Sequence, residues 1–132
     1  MAEETALTYP AISPYLYYQD GAAALAFLAK AFGFAERMRQ TDDDGTIRHA
    51  EMDVGGGVIM LGCPEDQRSP AELGHVTVGM YVHVDDVDAH FERAKAAGAE
   101  VDGPPDDKPY GDRVYGAFDP EGHQWWFAQS IG

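Results

Sequence analysis

Residues 84–101 read VDDVDAHFERAKAAGAEV, and residues 110–125 read YGDRVYGAFDPEGHQW. The first stretch predicts a helix over residues 87–97, because Asp86 is a good N-cap and Gly98 supplies the left-handed position that ends a helix. The second stretch predicts two strands joined by a tight turn that contains proline and glycine. The order around these stretches is therefore strand, helix and three strands, with strands over residues 76–84, 99–102, 113–118 and 124–128.

The first half of the chain repeats this pattern. A shift of 65 residues places several residues on identical ones, namely Lys30 on Lys95, Gly33 on Gly98, Arg48 on Arg113 and Gly57 on Gly122. Asp20 is predicted to cap a helix that Gly33 ends, between strands over residues 11–18 and 34–40. Two further strands are predicted over residues 46–54 and 58–61. Because each half is too small for a good core, we expect one domain over residues 1–132.

The predicted fold is thus α+β, with two tandem βαβββ units. The first unit covers about residues 11–62, a linker covers about 63–75, and the second unit covers about 76–129. The net charge of −14 repels nucleic acid and anionic membranes. Cys63 is the single cysteine, the N-terminus does not resemble a signal peptide, and no stretch is long and apolar enough to span a membrane. These features predict a cytoplasmic protein.

The chain resembles the vicinal oxygen chelate superfamily, which contains glyoxalase I, extradiol dioxygenases, fosfomycin resistance enzymes and bleomycin resistance proteins. The two quoted stretches carry the resemblance, which extends from about Ile12 to Gln129 and is closest to the bleomycin-resistance-like, or PhnB-like, branch. It implies that each unit curls its sheet into half of an open barrel, with helices outside and a ligand inside. It also implies pairing of chains into a homodimer.

The superfamily's enzymes hold a divalent metal through the first and last strand of each unit. Counting from the capping aspartates and from Asp119 gives Ser13, Gly79, Trp126 and Leu61 for these four positions. None is a good ligand for a divalent cation, so the sequence predicts no metal and no other cofactor. His49 and Glu51 alternate on one strand and form a possible two-ligand fragment, although a hydrogen-bonded strand face is the commoner outcome.

Strand alternation points a set of polar and aromatic side chains into the predicted cleft. Tyr15 is expected opposite Tyr81, Tyr17 opposite His83, and Trp126 opposite Leu61. Such a lining suits a flat or amphipathic organic molecule, while the alternative is that the rings simply fill the barrel.

Two further residues are candidates for ligand binding, although they do not lie on the inward faces of the predicted strands. Tyr110 is expected at the rim of the cleft, and Arg113 is expected to be either an anion clamp or one half of a structural ion pair.

Two functions from different classes follow from these expectations. The first is a metal-free protein that binds a small aromatic or cationic organic compound through Tyr15, Tyr17, Tyr81, His83, Tyr110, Arg113 and Trp126. The second is a lyase, isomerase or dioxygenase-type enzyme that uses a non-standard metal site or acid–base chemistry at His83, beside Tyr17.

Overall fold

The computed structural model describes residues 8–132 and contains both predicted units. The first unit consists of β1 (Tyr15–Tyr17), α1 (Gly21–Phe32), β2 (Ala35–Thr41), β3 (Ile47–Val54) and β4 (Gly57–Gly62). A short helix, α2 (Pro70–Leu73), follows. The second unit consists of β5 (Gly79–His83), α3 (Val87–Ala96), β6 (Glu100–Val101), β7 (Asp106–Asp107), β8 (Asp112–Phe118) and β9 (Gln124–Ser130). The predicted α+β class is confirmed.

Each unit forms its own open, curled sheet, and the two sheets have the same topology. In sheet A the strand order is β1-β4-β3-β2, and in sheet B it is β5-β9-β8-β6, with β7 paired to β8. The first strand of each unit pairs in parallel with the last one, and the other pairs are antiparallel. The duplication seen in the sequence is therefore a duplication of topology.

The long helices begin and end at the residues that the sequence indicates. The Asp20 carboxylate accepts a hydrogen bond from the Ala23 N–H at 3.0 Å, and Asp86 accepts one from Ala89 N–H at 3.1 Å. Gly33 follows α1 with a φ of 79°, and Gly98 follows α3 with a φ of 92°. Such a positive φ is costly for other residues, so glycine fixes where each helix stops.

One core joins the two units on the helix side of both sheets. Phe32 of α1 packs on Trp125 and Phe127 of β9, with ring centroids 5.7 and 4.8 Å apart. Leu16 of β1 and Tyr18, the residue that follows this strand, also point into this core. The helices leave the other face of each sheet uncovered, and we call these the open faces. Strand alternation therefore divides each unit into a packed side and an exposed side, as predicted for β1 and β5.

Buried hydrogen bonds hold the turn between β8 and β9 against the first unit. The Asp119 carboxylate accepts bonds from the Tyr18 hydroxyl at 2.5 Å and from the Trp125 indole N–H at 3.2 Å. The Glu121 carboxylate accepts from the backbone N–H groups of Gln19 and Asp20. The β1–α1 junction thus depends on residues about a hundred positions later in the chain.

Three expectations about the elements are corrected. The linker contains α2, whose Ala71 N–H donates to the Glu121 carbonyl oxygen at 2.9 Å, so part of it is folded against the second unit. The first strand is only three residues long, since Pro10 and Pro14 lack the N–H groups that a longer ladder needs. The turn-rich segment after β6 contains β7.

A fourth correction concerns Leu61. It was expected in the cleft opposite Trp126, but it pairs with Leu16 and is completely buried in the core. The register pairs Tyr15 with Met60 and Tyr81 with Trp126, so these corresponding residues are 66 positions apart rather than 65. A one-residue error moves a side chain to the opposite face of a strand.

Candidate functional site

A pocket of about 800 Å³ lies on the open face of sheet B. Its floor carries Tyr81 of β5 and Trp126 of β9, which are register partners on neighbouring strands. Residues 102–110, which connect β6 to β8, form the surrounding wall, and Tyr110 lies exposed at the rim. Three of the predicted binding residues are thus brought together, and all of them come from the second unit.

The indole of Trp126 lies directly on the backbone of Gly79. A Cβ atom at residue 79 would overlap the six-membered ring, so only glycine leaves the room that the ring occupies. On the opposite side, Gly116 of β8 lies beside the same indole. Two glycines therefore let a large flat ring lie down on the sheet, where one of its faces forms part of the pocket floor.

Carboxylates add negative charge to this aromatic pocket. One oxygen of Asp102 accepts a hydrogen bond from the Gly116 N–H at 3.0 Å, which fixes the side chain across the pocket floor. The Asp106 carboxylate also lines the pocket and is paired with Lys108 at 3.2 Å. Among the described residues, no cationic side chain pairs with Asp102, so its charge is available to a ligand.

Tyr81 and His83 both face Asp112. The Tyr81 hydroxyl donates to Asp112 Oδ2 at 2.6 Å, and His83 Nε2 lies 3.5 Å from the same oxygen. Burial, the bond to Asp112 and the neighbouring Tyr110 raise the pKa of Tyr81, so its phenol stays neutral. The acid–base pair expected between His83 and Tyr17 is not what this geometry provides, because the side-chain contacts of His83 are with Tyr81 and Asp112.

The open face of sheet A carries Tyr15 and Tyr17, which are 42% and 37% exposed. Their ring centroids lie 5.7 Å apart. Neither ring lines the pocket over sheet B, so the expected pairs across a shared cleft are not formed within one chain. His49 and Glu51 lie on the same face, where His49 Nε2 is 2.8 Å from Glu51 Oε2 and His49 Nδ1 is 2.9 Å from the Tyr15 hydroxyl.

Arg113 is engaged in ion pairs. Its guanidinium donates to Asp88 at 3.1 Å and to Asp107 at 2.9 Å, and the corresponding Arg48 pairs with Asp42. Arg113 was expected to be either an anion clamp or one half of a structural ion pair, and these contacts match the ion pair. They also raise the pKa of Arg113 further.

The side chains at the metal positions do not suit a divalent cation. In the second unit the indole of Trp126 fills the space beside Gly79, and in the first unit Leu61 is completely buried in the core. Both ring nitrogens of His49 are already hydrogen-bonded, which argues against its use as a ligand. Within residues 8–132, no group of three or more His, Cys, Asp or Glu side chains could hold a metal ion.

The sequence reasoning missed Asp102 and Asp112. Asp112 lies inside the YGDR segment and is the first residue of β8, and a carboxylate at the start of a strand was a usable signal. Asp102 follows β6 at the position where alternation places a side chain on the open face. The hydrogen bonds of both residues are tertiary contacts, which a strand pattern does not reveal.

Known proteins share this fold and much of this sequence. Residues 9–127 match the model of the Glyoxalase/Bleomycin resistance protein/Dioxygenase superfamily. The uncharacterized protein Rv0887c of Mycobacterium tuberculosis is 38% identical over 128 residues, which cover 92% of this chain and 75% of that protein. The crystal structure of TioX from Micromonospora sp. ML1 is 40% identical, with a TM-score of 0.75, and the match covers 91% of this chain and 98% of TioX.

A more distant structure shows the same fold. The fosfomycin resistance protein FosX from Listeria monocytogenes is 18% identical, with a TM-score of 0.66, over 97% of this chain and 95% of FosX. Two βαβββ units with open faces and a pocket on one of them define a protein of the vicinal oxygen chelate type. The chain belongs to the Glyoxalase/Bleomycin resistance protein/Dioxygenase superfamily. None of its described helices is long and apolar enough to cross a membrane.

Proposed function

We propose that the protein binds a small aromatic organic compound, preferably a cationic one, in the pocket over sheet B and without a metal. The position of Trp126 carries this proposal. The ring lies flat on Gly79 with one face toward the pocket, which is an arrangement for stacking rather than for filling a core. Tyr81 and Tyr110 extend the aromatic surface from floor to rim.

Charge supports the preference for a cation. Asp102 lies fixed beside the Trp126 indole, whereas Asp106 in the same pocket is paired with Lys108. An aromatic face with a nearby carboxylate stabilises a delocalised positive charge by cation–π and Coulomb attraction together. The net charge of −14 adds a long-range field that attracts cations and repels anions.

The residues at the metal positions support a metal-free site. Trp126 and Gly79 offer no side-chain atoms that bind a divalent cation, and the indole fills the space beside Gly79. The family's metal-dependent chemistry therefore has no support in the second unit. We place the chain in the bleomycin-resistance-like, PhnB-like branch on the same grounds.

A second copy of the chain would complete the site. Tyr15 and Tyr17 are exposed on the open face of sheet A, while the pocket over sheet B has a floor but no aromatic opposite wall. We propose a cytoplasmic homodimer in which sheet A of one chain covers sheet B of its partner, since two-fold symmetry would then form two equivalent sites. A monomeric mass in light scattering would contradict this arrangement.

Calorimetric titration with matched probes tests the binding proposal. The planar cation 9-aminoacridine and the planar anion 9-anthracenecarboxylate share a three-ring shape and differ in charge, and bleomycin is a larger cationic probe. We expect the cations to bind more tightly than the anion. Trp126→Ala should weaken cation binding about fivefold or more, because stacking contributes roughly 1 kcal/mol.

Leu73→Ala is the matched control, since Leu73 is an exposed apolar residue of α2 outside this pocket. The Leu73→Ala variant should bind the probes with the same affinity as the wild type. Absence of heat with every probe, or equal affinity of the Trp126→Ala variant, would contradict the proposal. Stoichiometric nickel, zinc, manganese or iron in protein purified without chelator would contradict the metal-free part.

A further inference from the structure

A hydroxyl, an imidazole and a carboxylate lie in one hydrogen-bonded line on the open face of sheet A. The Tyr15 hydroxyl is 2.9 Å from His49 Nδ1, and His49 Nε2 is 2.8 Å from Glu51 Oε2. The hydroxyl of Tyr9 donates to the other carboxylate oxygen, Glu51 Oε1, at 2.8 Å. The line starts at an exposed ring on β1 and ends at a buried carboxylate on β3.

The charge of the Glu51 carboxylate determines which ring nitrogen of His49 donates a hydrogen bond to it. Glu51 is only 4% exposed, and this burial raises its pKa, but the hydrogen bonds from His49 and Tyr9 together with the charges of His49 and Arg37 lower the pKa more. The side chain is therefore an ionised carboxylate, which can only accept hydrogen bonds. His49 therefore donates from Nε2, and in the neutral imidazole Nδ1 then carries the lone pair and accepts the hydrogen bond of the Tyr15 hydroxyl.

This arrangement has the parts of a nucleophilic triad. The nucleophile and the base lie within hydrogen-bonding distance, and a third group orients the base. Burial raises the pKa of Tyr15, so the phenolate is not populated at neutral pH and the proton must pass to His49 during the reaction. A neutral imidazole that already accepts the bond is placed to take it.

Tyr17 provides an internal comparison. It lies two residues away on the same face and has a similar exposure. Among the described residues, no side chain is hydrogen-bonded to its hydroxyl, and its backbone carbonyl oxygen accepts the bond from His123. The two tyrosines thus differ mainly in whether an imidazole contacts the hydroxyl.

We infer that Tyr15, His49 and Glu51 form an acyl-transfer site for aryl esters. The Tyr15 oxygen attacks the ester carbonyl carbon as its proton moves to His49 Nδ1, and the bond from that carbon to the aryl oxygen breaks. The products are O-acyl-Tyr15, a phenolate and an imidazolium held against the Glu51 carboxylate. The phenolate takes up a proton from the imidazolium or from solvent.

The aromatic surroundings of the Tyr15 hydroxyl, and the absence of any need for a positioned acid, favour aryl esters as substrates. The paired rings of Tyr15 and Tyr17 suit an aryl group, and a phenolate leaves without needing a positioned acid. Tyr15, His49 and Glu51 all lie on sheet A, and the acyl transfer does not require Trp126 or Asp102, which carry the proposed ligand binding. Failure of acyl transfer would therefore leave the proposed function untouched, and failure of ligand binding would leave this inference untouched.

Acetylation by 4-nitrophenyl acetate tests the inference. We expect a burst of 4-nitrophenolate and one added acetyl group, located by peptide mass spectrometry after acid quenching. In the wild-type protein Tyr15 should be acetylated about a hundredfold faster than Tyr17, the range expected for general-base assistance. Equal labelling of the two tyrosines, or absence of label on Tyr15, would overturn the inference without any variant.

Variants separate the roles of the base and of its positioning residue. His49→Gln should reduce the rate of Tyr15 acetylation to that of Tyr17, while His75→Gln, at an exposed histidine outside the line, should not change it. Glu51→Gln should slow Tyr15 acetylation and also change the tautomer of His49, which the nitrogen chemical shifts of the imidazole report. Slower acetylation with an unchanged tautomer would overturn the positioning role of Glu51.

Discussion

The indole of Trp126 and the backbone of Gly79 are in direct contact across neighbouring strands, and no side chain would fit between them. This contact places a flat aromatic surface on the open face of sheet B, where it forms part of the pocket floor. Gly79 is thus as important to the site as Trp126, although it offers no functional group.

Gly79→Ala should displace Trp126 from the sheet. We expect weaker binding of 9-aminoacridine and a loss of about 1–3 kcal/mol in the free energy of unfolding, as is usual for overpacking. Calorimetric titration and urea denaturation measure the two effects. Gly56→Ala is the control, because a Cβ at residue 56 meets nothing within 4 Å. Wild-type affinity in the Gly79→Ala variant would show that the ring position does not matter.

Asp102→Asn should reduce the preference for cations. Asn retains an oxygen that accepts the Gly116 N–H, so the geometry is kept while the charge is removed. Affinity for 9-aminoacridine should fall about threefold to fivefold, because a partly exposed ion pair contributes up to about 1 kcal/mol. The affinity of the Asp102→Asn variant for an uncharged three-ring analogue such as acridone should stay the same. The Asp85→Asn variant is the control, and it should bind both compounds as tightly as the wild type does. Equal losses for both compounds would argue against a charge effect.

Asp119→Asn should destabilise the whole protein. The Asp119 carboxylate is buried and accepts four hydrogen bonds, from Tyr18, Trp125 and two backbone N–H groups. An amide cannot accept all of them, and its NH₂ would oppose another donor, so we expect a loss of roughly 2 kcal/mol or more. Thermal and urea unfolding measure this loss. Asp43→Asn, in the exposed turn between β2 and β3, should have nearly wild-type stability.

His90 should make stability fall below neutral pH. Burial lowers the pKa of His90, and its ring bonds to the Tyr115 hydroxyl and to the Phe32 carbonyl oxygen. Below the ordinary histidine pKa of about 6.5, the unfolded chain binds a proton more readily than the folded one, so the stability that is complete above this pH is progressively lost. His90→Gln can keep both bonds without titrating.

Urea denaturation of both proteins between pH 7.5 and 5.5 isolates this contribution, since all other groups are shared. The stability advantage of the wild type over His90→Gln should shrink as the pH falls. An advantage that grows toward acid would mean that the folded state stabilises the imidazolium instead.

The features that the sequence predicts well are local ones. Asp20 and Asp86 cap helices through backbone groups three residues away, and Gly33 and Gly98 end them through their own φ angles, so a short window contains the necessary information. The alternation of Tyr15 and Tyr81 with buried neighbours was visible for the same reason. The topology followed from the duplication and from the family resemblance.

The features that the sequence predicts poorly depend on the register between strands and on contacts with residues far away in the chain. Leu61 was misplaced because the repeat shifts from 65 to 66 positions within the turn before β9, and one residue reverses a strand face. The bonds of Asp102 to Gly116, of Tyr81 to Asp112 and of Arg113 to Asp88 join different elements. Their geometry is decided by how loops return to the sheet, which no local pattern encodes.

The hydrogen bond between Tyr18 and Asp119 also affects when the two halves of the protein can fold. Its two ends are 101 positions apart, so during synthesis the first unit emerges long before its polar partner exists. Until the hairpin of β8 and β9 is made, the Tyr18 hydroxyl and the N–H groups of Gln19 and Asp20 have only water to bind, and Phe32 of α1 lacks the rings of Trp125 and Phe127. The two similar halves are therefore expected to fold together rather than one after the other.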